Sequence, residues 1–296
     1  MTTKQRRIGQ FTVSCVGLGA MPFSMSDKPE KPAEGQAIAT VHAALDAGVT
    51  LIDTADIYAP SWDTMGHNER IVAKALRSYD GDVSNVVVAT KAGITRSEGE
   101  RWGRDSAPDY LRGRLEAALL ALGVDKLDLF YLHRPDRSRV YASVMETFAA
   151  FKAEGLISEI GISNANVEEI EIAVDVLGLG ELAAVQNEFS PKFNHTSKVE
   201  LDFCAERGIA FLPWSPLGGT GGGAAAVGSR YPVLAEIAAA HGVSPQQVTL
   251  AWELALGEHV IVIPGASRPE SIIDSAAAMD LKLSADEVAS ISAAVL

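Results

Sequence analysis

The chain has 296 residues, 47% of them hydrophobic and 21% charged, the balance of a folded protein with a full core rather than a disordered one. Its formal net charge of −13 repels nucleic acid and anionic lipid, so neither is expected as a partner. No apolar run is long enough to span a bilayer, and the basic start, Met1 to Gly9, leads into no apolar signal segment, so a cytoplasmic protein is expected.

In chain order, Arg6–Thr12 could form a small hairpin around Gly9-Gln10. Eight short apolar, β-branched runs follow: Val13–Leu18, Thr50–Thr54, Val86–Lys91, Leu127–Leu132, Ile157–Ile162, Ala183–Asn187, Ile209–Trp214 and Val260–Pro264. Several are apolar nearly throughout, as strands covered on both faces should be. Helical patterns fill the gaps. Ala37–Gly48 carries Ile38, Val41 and Leu45 on one face, and Ser106–Gly123 carries Leu111, Leu115, Leu119 and Leu122, with Ser106 as the expected cap and Gly123 as the stop. Asn166–Leu177 starts behind the capping pair Asn166 and Glu169, and a final helix starts at Ser284 with Glu287. Each step between strands is long enough for a crossover helix. The pattern predicts an α/β fold: one parallel, eight-stranded (β/α)8 TIM barrel filling residues 1–296 as a single domain, with a short N-terminal hairpin. The glycine-rich stretch Gly218–Gly228 should be mobile. Cys15 and Cys204 show no C-x-x-C and no zinc spacing, so buried thiols are expected.

In a barrel of this kind the active site lies at the C-terminal ends of the strands. The polar residues falling there include Asp53 and Tyr58 after the second strand, Lys91 on the third, His133 after the fourth, Ser163 and Asn164 after the fifth and Gln186 on the sixth. Taken singly, Asp53 suits a helix cap, Lys91 a solvated loop, Tyr58 a rim and His133 a core. Together they suit proton donation to an alkoxide. A free tyrosine, with a pKa of about 10, is a poor acid near neutral pH. Lys91 could lower that value, Asp53 could keep the buried lysine charged, and His133 could hold a carbonyl oxygen beside Tyr58.

Such chemistry needs an external hydride carrier. The loops after strands seven and eight, Trp214–Gly219 and Pro264–Glu270, fall where barrels of this class hold phosphate. Ser267 and Arg268 stand just before a helix and could grip a phosphate; the same turn could also be a plain helix cap. Trp214 could stack on a flat ring whose carboxamide would meet Ser163, Asn164 and Gln186. A metal-dependent barrel hydrolase is a weaker alternative, because the six histidines contain no H-x-H and no H-x-x-x-H. Gly17-Leu18-Gly19 lacks the third glycine of a dinucleotide loop, with Pro22 in its place.

Over nearly its whole length the chain resembles the aldo-keto reductase family, bacterial-type branch. The resemblance rests on GLGAMPF, LIDTADIY with GHNER, VVVATKAG, LDLFYLHRPD, GLISEIGISN, AAVQNEFS, PWSPLGG and VIPGASRPE. It implies reduction of an aldehyde or ketone with NADPH, and less readily with NADH. It maps a catalytic tetrad onto Asp53, Tyr58, Lys91 and His133, and implies no metal. It places the nicotinamide against Trp214, where a tyrosine is more usual, and its carboxamide near Ser163, Asn164 and Gln186. It assigns pyrophosphate contacts to Ser215, Leu217 and Gly219, and the 2′-phosphate to Gly265, Ser267 and Arg268. A Lys-Ser pair common after the last strand is replaced by Gly265-Ala266, which leaves the phosphate grip to Ser267 and Arg268. The chain ends soon after its last helix, so an open pocket lined by Trp62, Trp102 and Phe23 is expected. The implied partner is a small-molecule carbonyl. A non-catalytic, nicotinamide-nucleotide-binding regulatory subunit on the same barrel is the alternative.

Overall fold

Short apolar runs become strands and the longer periodic segments become the helices between them. The computed structural model describes residues 4–25, 31–195, 197–219 and 222–296. It begins with β1 (Gln5–Ile8) and β2 (Phe11–Ser14), then β3 (Leu18–Gly19), α1 (Glu34–Asp46), β4 (Leu51–Asp53) and α2 (His67–Arg77). Next come β5 (Val87–Ala92), β6 (Ile94–Ser97), β7 (Arg101–Arg104), α3 (Pro108–Leu122), β8 (Leu127–Leu132), α4 (Tyr141–Ala153) and β9 (Ile157–Ser163). The chain continues through α5 (Val167–Leu177), β10 (Leu182–Glu188), α6 (Lys198–Arg207), β11 (Ala210–Trp214) and α7 (Gly223–Arg230). It ends with α8 (Pro232–His241), α9 (Pro245–Ala255), α10 (Pro269–Ala276) and α11 (Ala285–Val295).

Seven strands form one parallel sheet in the order β11-β10-β9-β8-β5-β4-β3. Its two edges meet through the segment 260–265. Val260 bridges Phe211 on one side, and Val262 and Gly265 bridge Val16 and Gly19 on the other, all parallel. Backbone bonds from Ile261 N to Phe211 O (3.0 Å) and from Gly17 N to Val262 O (2.8 Å) carry the connection. This arrangement fits a (β/α)8 barrel. Gly19 is required at the seam, because a Cβ there would sit 2.8 Å from the Ile263 carbonyl oxygen.

Two apolar clusters follow from this geometry. Ile8, Val13, Leu51, Val87, Leu129, Ala183, Leu212 and Ile261 fill the inside of the curled sheet. Leu111 and Leu115 of α3, Ile170 of α5 and Trp252 of α9 belong to a larger cluster made with the helices. The expected run Val13–Leu18 divides in two. Val13 pairs with Arg6 in the antiparallel β1–β2 hairpin, and only the end of the run enters the parallel sheet.

One local expectation needs correction, and two local features went unread in the sequence. Ala107, not Ser106, precedes α3, and Asp105 Oδ1 accepts its N–H at 2.8 Å; the buried Ser106 Oγ has no partner among the described residues. The hairpin β6–β7 was not expected, because Ile-Thr-Arg-Ser and Arg-Trp-Gly-Arg present no apolar face and are mostly exposed. Part of the stretch Gly218–Gly228 is helical, as α7; Thr220 and Gly221 lie outside the described residues. The pairs Asn166–Glu169 and Ser284–Glu287 form reciprocal caps, as the spacing predicts. Among the described residues no helix is long and apolar enough to cross a membrane, and Cys15 and Cys204 are free and buried.

Candidate active site

Parallel strands bring their C-terminal ends to one side, so residues far apart in sequence meet there. A cleft of about 390 Å³ opens at this end, and Asp53, Tyr58 and His133 line it. Lys91 does not. It is fully buried behind them, with Nζ 5.4 Å from the centroid of the Tyr58 ring.

Burial forces the polar groups here to satisfy one another. Lys91 Nζ donates to Asp53 Oδ1 and to the Thr54 carbonyl (2.8 Å). Gln186 Nε2 donates to Asp53 Oδ2 (2.8 Å), and Ser163 Oγ donates to the Gln186 carbonyl (2.7 Å). Gln186 and Ser163 therefore support the Asp53–Lys91 pair as well as lining the cleft. The Tyr58 and His133 rings meet edge to face, with centroids 5.9 Å apart and planes at 83°.

Burial, and then the positive charges of Lys91 and Arg134, hold His133 well below the usual histidine range. The imidazole is neutral near neutral pH and can donate one N–H without releasing a proton. Burial also lowers Lys91, with Asp53 opposing the shift. Tyr58 moves opposite to expectation. Burial first, then the charges of Asp53 and Asp56, push its phenol well above the ordinary value, with Arg134 opposing. The physical reason is loss of water around the phenol, which disfavours the phenolate, with the two nearby acids adding to it.

The loop bearing Tyr58 is tied down from several sides. Arg96 of β6 donates to the carbonyls of Ala59 (2.7 Å) and Pro60 (3.2 Å), while Trp62 N donates to Glu100 Oε1 (2.9 Å). Asn68 donates to the Ala20 carbonyl and accepts from Thr54. Beneath the loop lie two buried acids. Asp56 accepts from Arg114 (2.7 Å) and Glu69 from Thr90 (2.6 Å). Burial raises Asp56 to about 6, against the attraction of Arg114; burial and then the Asp56 charge raise Glu69 to about 7. Sequence reasoning gave neither acid a role. Each sits in a run quoted for other residues, and only the fold brings them together.

Of the ten residues expected to hold a cofactor, eight line the cleft: Ser163, Asn164, Gln186, Trp214, Ser215, Leu217, Gly219 and Gly265. Among the described residues, Asn164 and Ser215 are also two of the three non-glycine residues with left-handed backbones, at φ 59° and 57°. Such conformations cost energy and cluster where a backbone is shaped for a ligand. Asn164 Nδ2 donates to the His133 carbonyl (3.0 Å), linking this region to the strand end that bears His133. The partly buried Trp214 ring has its indole N–H buried without a partner among the described residues. Ser267 and Arg268 stand outside the lining. The Ser267 carbonyl accepts from Gln36, and the exposed Arg268 precedes α10 and donates to Ser271 Oγ (3.1 Å).

The expected aromatic pocket is corrected. Phe23 is buried, and Trp62 and Trp102 do not line the cleft. Trp102 sits on the outer hairpin with the Arg96 guanidinium 4.9 Å from its ring centre. Met21, Met25, Ile57 and Ile94 form the apolar wall instead, with Arg134 beside them. Among the described residues no three His, Cys, Asp or Glu residues cluster as a metal site would need.

The model of the aldo/keto reductase family matches residues 15–295. The chain belongs to that family. Its relatives include an uncharacterized oxidoreductase of Schizosaccharomyces pombe, 30% identical across 95% of this chain and 86% of that protein. Another is pyridoxine 4-dehydrogenase of Escherichia coli, 30% identical across 96% of both chains. Among solved structures, an aldo-keto reductase of Klebsiella pneumoniae in complex with NADPH superposes with a TM-score of 0.80 at 26% identity. That match covers 100% of this chain and 96% of the other. Family and shape thus place the chain among oxidoreductases.

Proposed function

We propose that this member of the family reduces an aldehyde or ketone to an alcohol with NADPH, on a closed eight-stranded barrel. The observation that carries the reading is the convergence of Asp53, Tyr58 and His133 on one cleft, with Lys91 buried behind the tyrosine. The likeness to an NADPH-bound reductase supports the choice of cofactor. The cleft also suits that group chemically: Trp214 offers a flat wall, Ser163 and Asn164 offer polar atoms beside it, and Ser215, Leu217 and Gly219 form a turn at the far side. Trp214, Ser163, Asn164 and Gln186 would hold the nicotinamide end, Ser215, Leu217 and Gly219 the pyrophosphate, and Gly265 would lie by the 2′-phosphate. Ser267 and Arg268 would meet the 2′-phosphate at the start of α10, favouring NADPH over NADH. The reduced nicotinamide supplies the hydride when bound.

Within this reading the residues divide the remaining work. His133, neutral, donates a hydrogen bond to the carbonyl oxygen and holds it beside Tyr58. Tyr58 gives its phenolic proton to that oxygen as it becomes an alkoxide. A raised pKa does not prevent this, since an alkoxide is a stronger base than a phenolate. It keeps the tyrosine protonated near neutral pH, the state that reduction needs. Lys91, held by Asp53 and Thr54, stabilises the phenolate left behind.

Following nicotinamide absorbance across a panel of aldehydes and ketones, with NADPH and with NADH, tests the reading. Tyr58→Phe is expected to lower kcat by about 10³-fold, while NADPH still quenches tryptophan fluorescence. Turnover persisting in that variant would remove Tyr58 as the proton donor. Nucleotide binding without turnover of any carbonyl would favour the regulatory-subunit alternative.

A further inference from the structure

The arginines around the mouth are nearly all engaged. Arg96 pairs with Glu100, Arg114 with Asp56, Arg137 with Glu169 and Arg139 with Asp105 and Asp136. Arg101 and Arg104 donate to the Glu98 and Pro135 carbonyls. Arg134 is different. It follows His133 directly, is half-buried and lines the cleft, yet among the described residues it makes no ion pair or side-chain hydrogen bond. The Trp214 ring is near it, with its centre 5.9 Å from the guanidinium carbon. Burial opposes its charge most and Arg104 next, while Glu188 is near enough to favour the charge without forming an ion pair.

A half-buried guanidinium without an acceptor is costly, and a planar donor fork matches a carboxylate. Met21, Met25, Ile57 and Ile94, which line the same cleft, carry no charge that could supply one. We propose that Arg134 is the specificity-determining residue of this cleft, and that the substrate is a carbonyl compound with an apolar body and a carboxylate that pairs with Arg134. The proposal rests on the carbonyl-reductase reading and names its substrate class. The Trp214 ring lies near the guanidinium but accepts none of its N–H bonds, so the donor fork remains available to an anion.

The test compares two aldehydes alike except for charge, 4-formylbenzoate and its methyl ester. In the wild-type protein kcat/KM should favour the carboxylate by about 10- to 100-fold, the loss expected for a charge-assisted pair. Arg134→Met should bring that ratio close to one, and Arg134→Lys should restore part of it. A second readout needs no turnover. Calorimetric titration should show 4-(hydroxymethyl)benzoate binding more tightly than its methyl ester, with the difference lost in Arg134→Met. If neither aldehyde is reduced but this difference holds, the anion site stands and the reductase reading falls. A wild-type ratio near one in both readouts, or one that Arg134→Met leaves unchanged, overturns the proposal.

Discussion

At the strand starts, the β1–β2 hairpin covers the inside of the barrel with Ile8 and Val13, both fully buried. Its turn is fastened by a satisfied polar contact: Glu159 accepts from Gln10 N at 2.9 Å and from Lys152 at 3.1 Å. At the strand ends the same barrel is open, and several polar groups there are shifted or unfinished. The His133 Nδ1, the Trp214 indole N–H, one oxygen of Asp56 and one of Glu69 are buried without partners among the described residues. At the mouth these buried groups gather around one cleft, as expected where binding and proton transfer occur. Substitutions at the mouth should change chemistry and the response to pH, while substitutions at the hairpin should change stability alone.

The largest effect is expected at the Asp53–Lys91 pair. Both side chains are buried, so Lys91→Met leaves the Asp53 carboxylate without its cation. The loss should be about 3–5 kcal/mol in urea unfolding, together with loss of carbonyl reduction near neutral pH. Adding Asp53→Asn should recover much of the stability and none of the rate. Wild-type turnover in Lys91→Met would remove the lysine from the proton chemistry and show this pair to be structural.

The barrel strands were legible because each is a run of apolar residues bounded by turn signals, and six of the eight expected runs match observed strands within about two residues. The first and last were harder to read. Val13–Leu18 serves two sheets in succession, and 260–265 joins its neighbours by isolated bridges. The catalytic candidates could be read because their types are rare in combination and fall at successive strand ends. Three features could not. The electrostatics of Tyr58 depend on how deeply the fold buries it and on the acids brought near it. The β6–β7 hairpin has no apolar signature. The isolation of Arg134 appears only when its neighbours' partners are known.

A smaller effect is expected from the acids beneath the Tyr58 loop. Glu69 at about 7 and Asp56 at about 6 keep their protons in the folded state to a pH at which the unfolded chain has released them. Their contribution is therefore full in acid and is lost as pH rises from about 4.5 towards 7. Glu69→Gln keeps an oxygen for Thr90 and removes one titration. It should flatten unfolding free energy against pH over that window by up to about 3 kcal/mol. A profile unchanged from wild type would mean that Glu69 does not hold its proton.

The smallest effect gives the sharpest contrast. Ile8→Val removes one methyl group from a fully buried site inside the barrel, far from any polar group proposed to react. The expected cost is about 0.5–1.5 kcal/mol in urea unfolding, the usual range for this change in a core. Steady-state kcat and KM should stay within about twofold, because a small cavity at the strand starts can relax locally without moving the strand ends. A larger change in kcat at this modest loss of stability would show that packing at the hairpin is transmitted along the strands to Tyr58. The two ends would then act as one cooperative unit, and the shape of the mouth would depend on how tightly the far end is plugged.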